Sequence, residues 1–259
     1  MYSSRKIISV LLLTTLLLAG CHKTAAAKPW GGVVSHHLLV GNHIDDFFAN
    51  IKEEREVETF FIICPSHYGL STQEWSVADC SWRIGSDDYV HTDLEKAQRV
   101  LDSLNVPFDP QVFPVEHGAS ALMSYIKKYF PEATVVVVAV NGEPPVNSQY
   151  NQALTDAVLP FFSENKKDKN FLLVSSDFSH HVNEEKTRER DSQSEIFLSK
   201  ADPDKWVFCN CDNRPSMYLL SRIMTEKTES RILCHTNSYE FTGEGEDDIT
   251  SYFFVLFYK

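Results

Sequence analysis

Short apolar runs alternate with amphipathic stretches along most of the chain, and this alternation indicates a parallel β-sheet covered by helices. Parallel strands that are covered on both faces are apolar at successive positions. The segments with this pattern are residues 31–34, 58–64, 134–140 and 171–175. Residues 112–115 are predicted to form a further short strand, and residues 229–235 and 251–258 are expected to close the sheet.

The stretches between these runs have the spacing of apolar residues that helices show. The predicted helices are residues 44–54, 92–104, 119–129, 148–162, 184–199 and 215–225. Asp93 stands near the start of the second helix, and residues 75–89 predict a hairpin or an irregular excursion. The order of strands and helices favours one α/β domain over residues 30–259, with a mostly parallel central sheet flanked by helices on both faces.

The beginning of the chain has the composition of an export signal. Arg5 and Lys6 precede an apolar run over residues 7–18, which is shorter than the roughly 20 residues that a membrane-spanning helix needs. Ala19 and Gly20 directly precede Cys21. We therefore expect residues 1–20 to be a lipoprotein signal peptide, residues 21–29 to be a tether that begins with a lipid on Cys21, and the domain to be extracytoplasmic. The alternative is an uncleaved anchor helix, and the choice between inner and outer membrane stays open.

The net charge limits the classes of partner, and the number of cysteines limits the disulfide pairing. The formal net charge is −12, and the cations cluster only at residues 166–169, so a nucleic-acid partner is disfavoured. Five cysteines follow Cys21, an odd number that leaves at least one unpaired within the chain. They are Cys64, Cys80, Cys209, Cys211 and Cys234, and their disulfide pairing stays open.

Histidines follow four of the predicted strands. They are His36, His67, His117 and His180. The carboxyl ends of the strands of an open α/β sheet form the crevice where ligands bind, so we expect these imidazoles to lie along one edge. Imidazole is a common ligand of iron, copper and zinc. Taken alone, each histidine is more commonly a hydrogen-bonded surface or core residue, and the metal site is predicted from their shared position.

The segments around these histidines resemble those of the Memo family, and in particular its bacterial members called AmmeMemoRadiSam system protein B. The matching segments are Gly-Val-Val-Ser-His-His, Ile-Cys-Pro-Ser-His, Val-Glu-His and Ser-Ser-Asp-Phe-Ser-His, followed by Thr-Asn-Ser-Tyr-Glu-Phe-Thr-Gly near the end. The resemblance covers nearly all of the chain after the tether. It implies the fold of the catalytic subunit of class III extradiol dioxygenases.

The resemblance also implies roles for single residues. Its metal ligands fall on His36, His67 and His180, and His117 would be an acid/base group or a substrate contact that does not bind the metal. Asp177 could balance the charge of the metal, orient an imidazole or cap a turn. His37 and His181 directly follow two of the ligands. Because neighbours on a strand point to opposite faces, one histidine of each pair should reach the site, and the resemblance favours the first.

The function implied by the resemblance is a metal-dependent redox enzyme that uses non-haem iron or copper, in preference to zinc, on an unidentified small molecule or peptide. Extradiol enzymes hold iron with two histidines and a glutamate, and the histidine-rich set of this chain departs from that pattern. The alternative is a non-catalytic lipoprotein that binds a metal, a peptide or a protein. Zinc hydrolysis fits the ligands but has only Asp177 or Glu116 as a general base.

Overall fold

The computed structural model describes residues 27–71, 73–141, 148–162, 169–200 and 202–259. The predicted signal peptide and Cys21 lie outside the described residues. Among the helices of the described ranges, none is long and apolar enough to cross a membrane.

One large sheet and one small hairpin contain all strands of the described residues. In chain order the strands are β1 (Pro29–Val34), β2 (Thr59–Ser66), β3 (Trp75–Val77), β4 (Trp82–Arg83), β5 (Tyr89–Val90), β6 (Thr134–Asn141), β7 (Asn170–Ser175), β8 (Phe178–Val182), β9 (Glu229–Asn237) and β10 (Ile249–Tyr258). The helices are α1 (Gly41–Glu54), α2 (Leu94–Leu104), α3 (His117–Tyr129), α4 (Ser148–Val158), α5 (Glu184–Lys200), α6 (Arg214–Ile223) and α7 (Ser238–Thr242). Short 3₁₀ turns cover Leu38–Val40, Leu159–Phe162 and Pro203–Phe208.

Four parallel strands in the order β6-β2-β7-β1 form the middle of the sheet. Antiparallel strands continue it on both sides, with β3 beside β6 and with β10 between β1 and β9. Strand β8 also pairs with β10 in the antiparallel sense. The α/β class is therefore confirmed, and the strict alternation of strand and helix holds only for the centre.

Helices cover both faces of the sheet, as the sequence predicts. On one face α2, α4, α5 and α6 pack against alternate strand residues such as Phe61 and Val136. On the other face α1 and α3 pack against the intervening residues, such as Phe60 and Val137. The apolar β2 and β6 are buried along nearly their whole length because both faces are covered.

One sequence prediction of local structure is wrong, and one strand was not predicted. Residues 112–115 form a turn rather than a strand, and the Val112 carbonyl accepts hydrogen bonds from the amides of Val115 and Glu116. The apolar side chains of Val112 and Phe113 pack into the hydrophobic core from this turn. Residues 178–182, for which the sequence pattern predicts no strand, form β8. The predicted excursion is confirmed as β3 followed by the β4–β5 hairpin, and Asp93 caps α2.

Candidate metal centre

The site lies at the carboxyl ends of three neighbouring parallel strands, β2, β7 and β1. Val34 at the end of β1 is level with Ser175 at the end of β7. His36 follows β1, His67 directly follows β2, and Asp177 follows β7. The rule that parallel strands deliver ligands to one edge therefore explains why residues so distant in sequence come together.

Asp212 enters the same edge from the segment that precedes α6. The pairing of β2 with β7 ends at Ile63 and Val174. Beyond it, the buried amide of Asn213 donates hydrogen bonds to the carbonyls of Ile63 and Ser175, both at 2.9 Å. Asn213 thus ties its segment to both strand ends and fixes the position of Asp212.

The carboxylate of Asp212 has one satisfied and one unsatisfied oxygen. Its Oδ1 accepts from the Ser176 hydroxyl at 2.8 Å and from the Asp177 amide at 3.1 Å. Its Oδ2 faces the Nε2 atoms of three histidines: His36 at 3.5 Å, His67 at 3.8 Å and His180 at 3.7 Å.

These three distances are too long for good hydrogen bonds. Asp212 Oδ2 and His180 Nε2 are buried and have no hydrogen-bond partner among the described residues. Buried polar atoms without partners are costly, and a cation held between nitrogen and oxygen donors would satisfy them. The donor set therefore fits a divalent metal ion.

Potential ligand atoms form two compact groups that share His36. One group is His36, His67 and His117, and the other is His36, Asp177 and Asp212, with the ligand atoms of each group within 4.8 Å of one another. His180 belongs to neither group and reaches the site through Asp212. The structure thus brings His36 and His67 together, adds His117 to them and places His180 Nε2 3.7 Å from Asp212 Oδ2. The assignment of His36, His67 and His180 as the metal ligands stays a prediction.

Hydrogen bonds define the tautomer of His36. The Ser175 hydroxyl donates its single hydrogen to the Gly118 carbonyl, which can only accept, at 2.5 Å. The same hydroxyl lies 3.0 Å from His36 Nδ1, so it must accept a hydrogen bond from Nδ1–H. The lone pair of the neutral ring is then on Nε2, the atom that faces Asp212. Metal-binding imidazoles are commonly oriented through the other nitrogen in this way.

Glu116 orients His67 in the same manner. Its Oε1 accepts from His67 Nδ1 and from the Gly118 amide, both at 2.7 Å, and its Oε2 accepts from the His67 amide at 2.8 Å. A Cβ on Gly118 would lie 3.0 Å from Cys64 Cβ and 3.1 Å from Glu116 Oε1, so glycine allows the start of α3 to approach this closely. Glu116 therefore caps α3 and also orients a candidate ligand.

The charged side chains of the site shift one another's pKa values. Burial would lower the pKa of His67, but the carboxylates of Asp212 and Glu116 outweigh it and raise that pKa to about 9. Burial would raise the pKa of Asp212, but His180 and His67 outweigh it and hold that pKa far below its usual value. Burial would also lower the pKa of His180, but the Asp212 carboxylate outweighs it and raises that pKa. Imidazole and carboxylate thus stabilise each other's charged forms here.

His117 stands over the other rings at the solvent side. Its ring stacks on His67 at a centroid distance of 4.0 Å and meets the edge of His36 at 5.3 Å. Its Nδ1 lies 3.3 Å from the Tyr68 hydroxyl. Partial burial, together with the positive charge of the neighbouring His67, lowers the pKa of His117.

Asp177 is buried between the strand end and His36. Its Oδ1 accepts from the Ser35 hydroxyl at 2.5 Å, and its Oδ2 lies 3.6 Å from His36 Nε2. Its carboxylate thus faces the same imidazole nitrogen as Asp212. This position is compatible with charge balance beside a metal and with direct ligation.

The second histidine of each adjacent pair belongs to neither group of potential metal ligands in the described residues. His37 is exposed and caps the 3₁₀ turn at Leu38–Val40, where its Nδ1 accepts from the Leu39 amide. His181 has a positive φ of 53° and pairs through Nδ1 with Asp248 at 2.6 Å.

The cysteines contribute no ligand to these groups. All five that follow Cys21 are free thiols. Neither group of potential metal ligands in the described residues contains a cysteine. Burial raises the pKa of the Cys64 thiol well above its usual value, which suits an inert core residue.

Sequence reasoning missed Asp212, the carboxylate on which three imidazoles converge. It follows no strand, because its segment leads from the 3₁₀ turn at Pro203–Phe208 into α6. The available signal is local. Asp212 and Asn213 directly precede a helix that carries a proline in its first turn, a position where polar side chains are free to bond outside the helix.

Comparison with known proteins supports the geometry at the level of the family. The model of the Memo family, described as Memo-like protein, matches residues 31–249. A MEMO1 family protein of Sulfurisphaera tokodaii is 22% identical over 77% of this chain and 72% of its own length. A MEMO1 family protein of Pyrobaculum aerophilum is 21% identical over 88% of this chain and 83% of its own length.

A solved structure of an uncharacterized protein from Escherichia coli K12 has a TM-score of 0.54 at 11% identity, and covers 86% of this chain and 98% of that chain. At this identity the likeness shows the fold alone. The match of the family model along most of the sequence shows more: the chain belongs to the Memo family.

Proposed function

We propose that this protein is a metal-dependent oxidoreductase that holds one ion of iron, or alternatively copper, at the ends of β1, β2 and β7. The convergence of three imidazole Nε2 atoms on the unsatisfied Oδ2 of Asp212 carries the proposal. Asp212 supplies a carboxylate in addition to the three histidines expected from the sequence.

The mixture of donors favours iron as the first candidate. Two histidines and one carboxylate on one face of the ion are the pattern of non-haem iron(II) oxygenases. His36, His67 and Asp212 provide these donor types, and His180 and Asp177 stand next to them. A bound ion of this kind would supply Lewis acidity and an electron-transfer site for dioxygen or an organic substrate.

His117 would serve as the proton carrier of the reaction. Its lowered pKa favours the neutral ring, which can accept a proton from a substrate that lies over the site. The Tyr68 hydroxyl, 3.3 Å from His117 Nδ1, is itself exposed and offers a path for that proton to solvent. Glu116 would hold the His67 ring in place throughout.

The test combines metal analysis with oxygen uptake. Protein purified without added metal and then exposed to iron(II) under argon should retain about one equivalent. His67→Asn keeps a polar group at the position of Nδ1 but removes Nε2, and it should abolish retention. Oxygen consumption with phenolic or thiol substrates should require the metal and fall in His117→Gln while the metal stays bound. Failure to retain iron or copper would overturn the metal site. Retention without turnover on any substrate would leave a non-catalytic binding protein.

We propose in addition that the protein is anchored to a bacterial membrane by lipid on Cys21, facing away from the cytoplasm. The charged start, the short apolar run and the Leu-Ala-Gly-Cys sequence support this proposal. Cys21→Ser should move the protein from the membrane fraction to the soluble fraction. Tight membrane attachment of this variant would contradict the anchor.

A further inference from the structure

A large cavity opens beside the candidate metal centre. Its volume is about 820 Å³, which lies within the range of pockets that bind small molecules. His67, His180 and Asp212 line one side of it, and Arg190 and Arg214 are also among its lining residues. A ligand in this cavity can therefore meet the metal site and a guanidinium group at the same time.

The guanidinium groups of the two arginines have few polar partners among the described residues. The Arg190 guanidinium makes no ion pair or hydrogen bond within the described ranges. Arg214 donates from Nε to the Cys209 carbonyl at 3.0 Å, and its terminal nitrogens have no further partner among these residues. Guanidinium groups bind carboxylates through two parallel hydrogen bonds, and such pairs are strong when water is partly excluded.

The charge balance of the cavity is opposite to that of the whole chain. The protein has a formal net charge of −12, yet Asp212 is the only acidic residue among the described residues that line the cavity. Asp212 already faces three imidazoles, and a divalent ion would neutralise it. His181, which also lines the cavity, pairs with Asp248 outside it. Among the described lining residues, the arginines then leave a local positive charge in a strongly acidic protein.

We infer that the cavity binds a small organic carboxylate, whose carboxyl group pairs with Arg190 and Arg214 while its other end reaches His180 and the candidate metal position. This inference rests on the proposed function for the reaction, but the arginine subsite itself does not need a metal. His180, which lines the same cavity, marks the side on which the far end of such a ligand approaches the candidate metal donors. The substrate class is then a carboxylic acid with a group that can be oxidised.

Benzoate and its neutral isostere benzamide are the probes. Binding of each is measured by calorimetry to the full-length protein, first after removal of metal by a chelator and then after reloading with iron(II). Benzoate should bind to both forms, and benzamide should bind at least about tenfold more weakly, as expected for the loss of hydrogen bonds to a charged group.

Arg190→Gln should weaken benzoate binding about tenfold or more without altering the retained metal. Arg188→Gln is the matched control, because Arg188 lies on the same helix, is exposed and pairs only distantly with Glu184 at 4.0 Å. It should bind benzoate as the parent does. Arg214→Gln provides a second variant of the subsite, with thermal unfolding as the check on its fold.

The outcomes separate the two proposals. Equal binding of benzamide and benzoate, unchanged benzoate binding in Arg190→Gln, or no benzoate binding by the metal-free parent would each overturn the arginine subsite. Absence of retained metal in a parent protein that still binds benzoate through Arg190 would overturn the proposed function and leave the subsite standing. Benzoate binding that appears only with metal would show coordination without the arginines and count against the subsite.

Discussion

Two aspartates of this protein meet histidines in opposite ways. Asp191 on α5 accepts at Oδ1 from the hydroxyls of Ser179 and Ser251, at 2.6 and 2.7 Å, and pairs at Oδ2 with His235 Nε2 at 2.9 Å. Asp212 has partners at Oδ1 alone, and its Oδ2 stands 3.5 to 3.8 Å from three imidazoles. One carboxylate is fully satisfied, and the other is half satisfied.

Under the proposed function, the difference separates a structural from a functional use of the same residue types. The Asp191 network ties α5 to β8, β9 and β10, and the His235 ring stacks on Phe253 at 3.9 Å. It is complete without any further group. The Asp212 centre leaves buried atoms without partners, and such atoms persist in folded proteins where they serve a bound ion or a reaction.

The largest effect on folding is expected at the satisfied network. Asp191→Ala removes the acceptor of two hydroxyls and one imidazole, so the free energy of unfolding of the metal-free protein should fall by about 3–5 kcal/mol. Urea unfolding measures this loss, and Asp191→Asn should lose less because its amide oxygen still accepts. A loss below about 1 kcal/mol for Asp191→Ala would show that the network is not structural.

Asp212→Asn should separate stability from metal binding. The asparagine oxygen can still accept from Ser176 and Asp177, but the variant loses the charge that pairs with protonated His67. The metal-free protein should therefore lose stability near neutral pH, and this loss should shrink to less than about 1 kcal/mol above a pH of about 9, where the His67 imidazole is neutral. Its affinity for iron(II) should fall about 100-fold or more, or about 2.7 kcal/mol, because a charged ligand is lost. Anaerobic titration against a competing chelator measures the affinity. Similar losses of stability in Asp212→Asn and Asp191→Asn would remove the distinction between the two centres.

Glu116→Gln tests a residue that orients a candidate ligand without binding the metal itself. Both carboxylate oxygens of Glu116 accept hydrogen bonds, from His67 Nδ1 and from the amides of His67 and Gly118. A glutamine has only one accepting oxygen, so at least one of these bonds is lost and the His67 ring is held less firmly. The expected result is a 10- to 100-fold loss of iron(II) affinity, which is typical of residues that orient ligands. Unchanged affinity in the same chelator competition would exclude Glu116 from this role.

The smallest effects are expected at the neighbouring histidines. His37→Asn keeps a capping side chain, and His181→Asn keeps a residue that tolerates a positive φ. Both should bind metal as the parent does and differ in stability by no more than about 0.5 kcal/mol. The paired variants His36→Asn and His180→Asn should lose metal. If the variants of both histidines in a pair lost metal equally, the assignment of the first histidine as the ligand would be contradicted.

The periodicity of the chain predicted the centre of the fold because parallel strands buried on both faces leave an unmistakable apolar run, as at β2 and β6. The periodicity failed to predict a strand where the side chains of that strand bond to residues of other elements. Strand β8 was missed because Ser179 and His180 serve Asp191 and the metal centre. The histidines at the strand ends were predictable from the geometry of parallel sheets. Asp212 was not, because Asn213 positions it through contacts with strands about 40 to 150 residues away in sequence.

The central claim is that His36, His67, His180 and Asp212 surround one cation. X-ray absorption of the protein loaded with one equivalent of iron(II) under argon tests it most directly, since it reports the atoms bound to the metal. The account predicts a shell of nitrogen and oxygen with outer scattering from imidazole, whereas His67→Asn and His36→Asn, which lose the metal, should give no such spectrum. A shell without imidazole, or one containing sulfur, would contradict it.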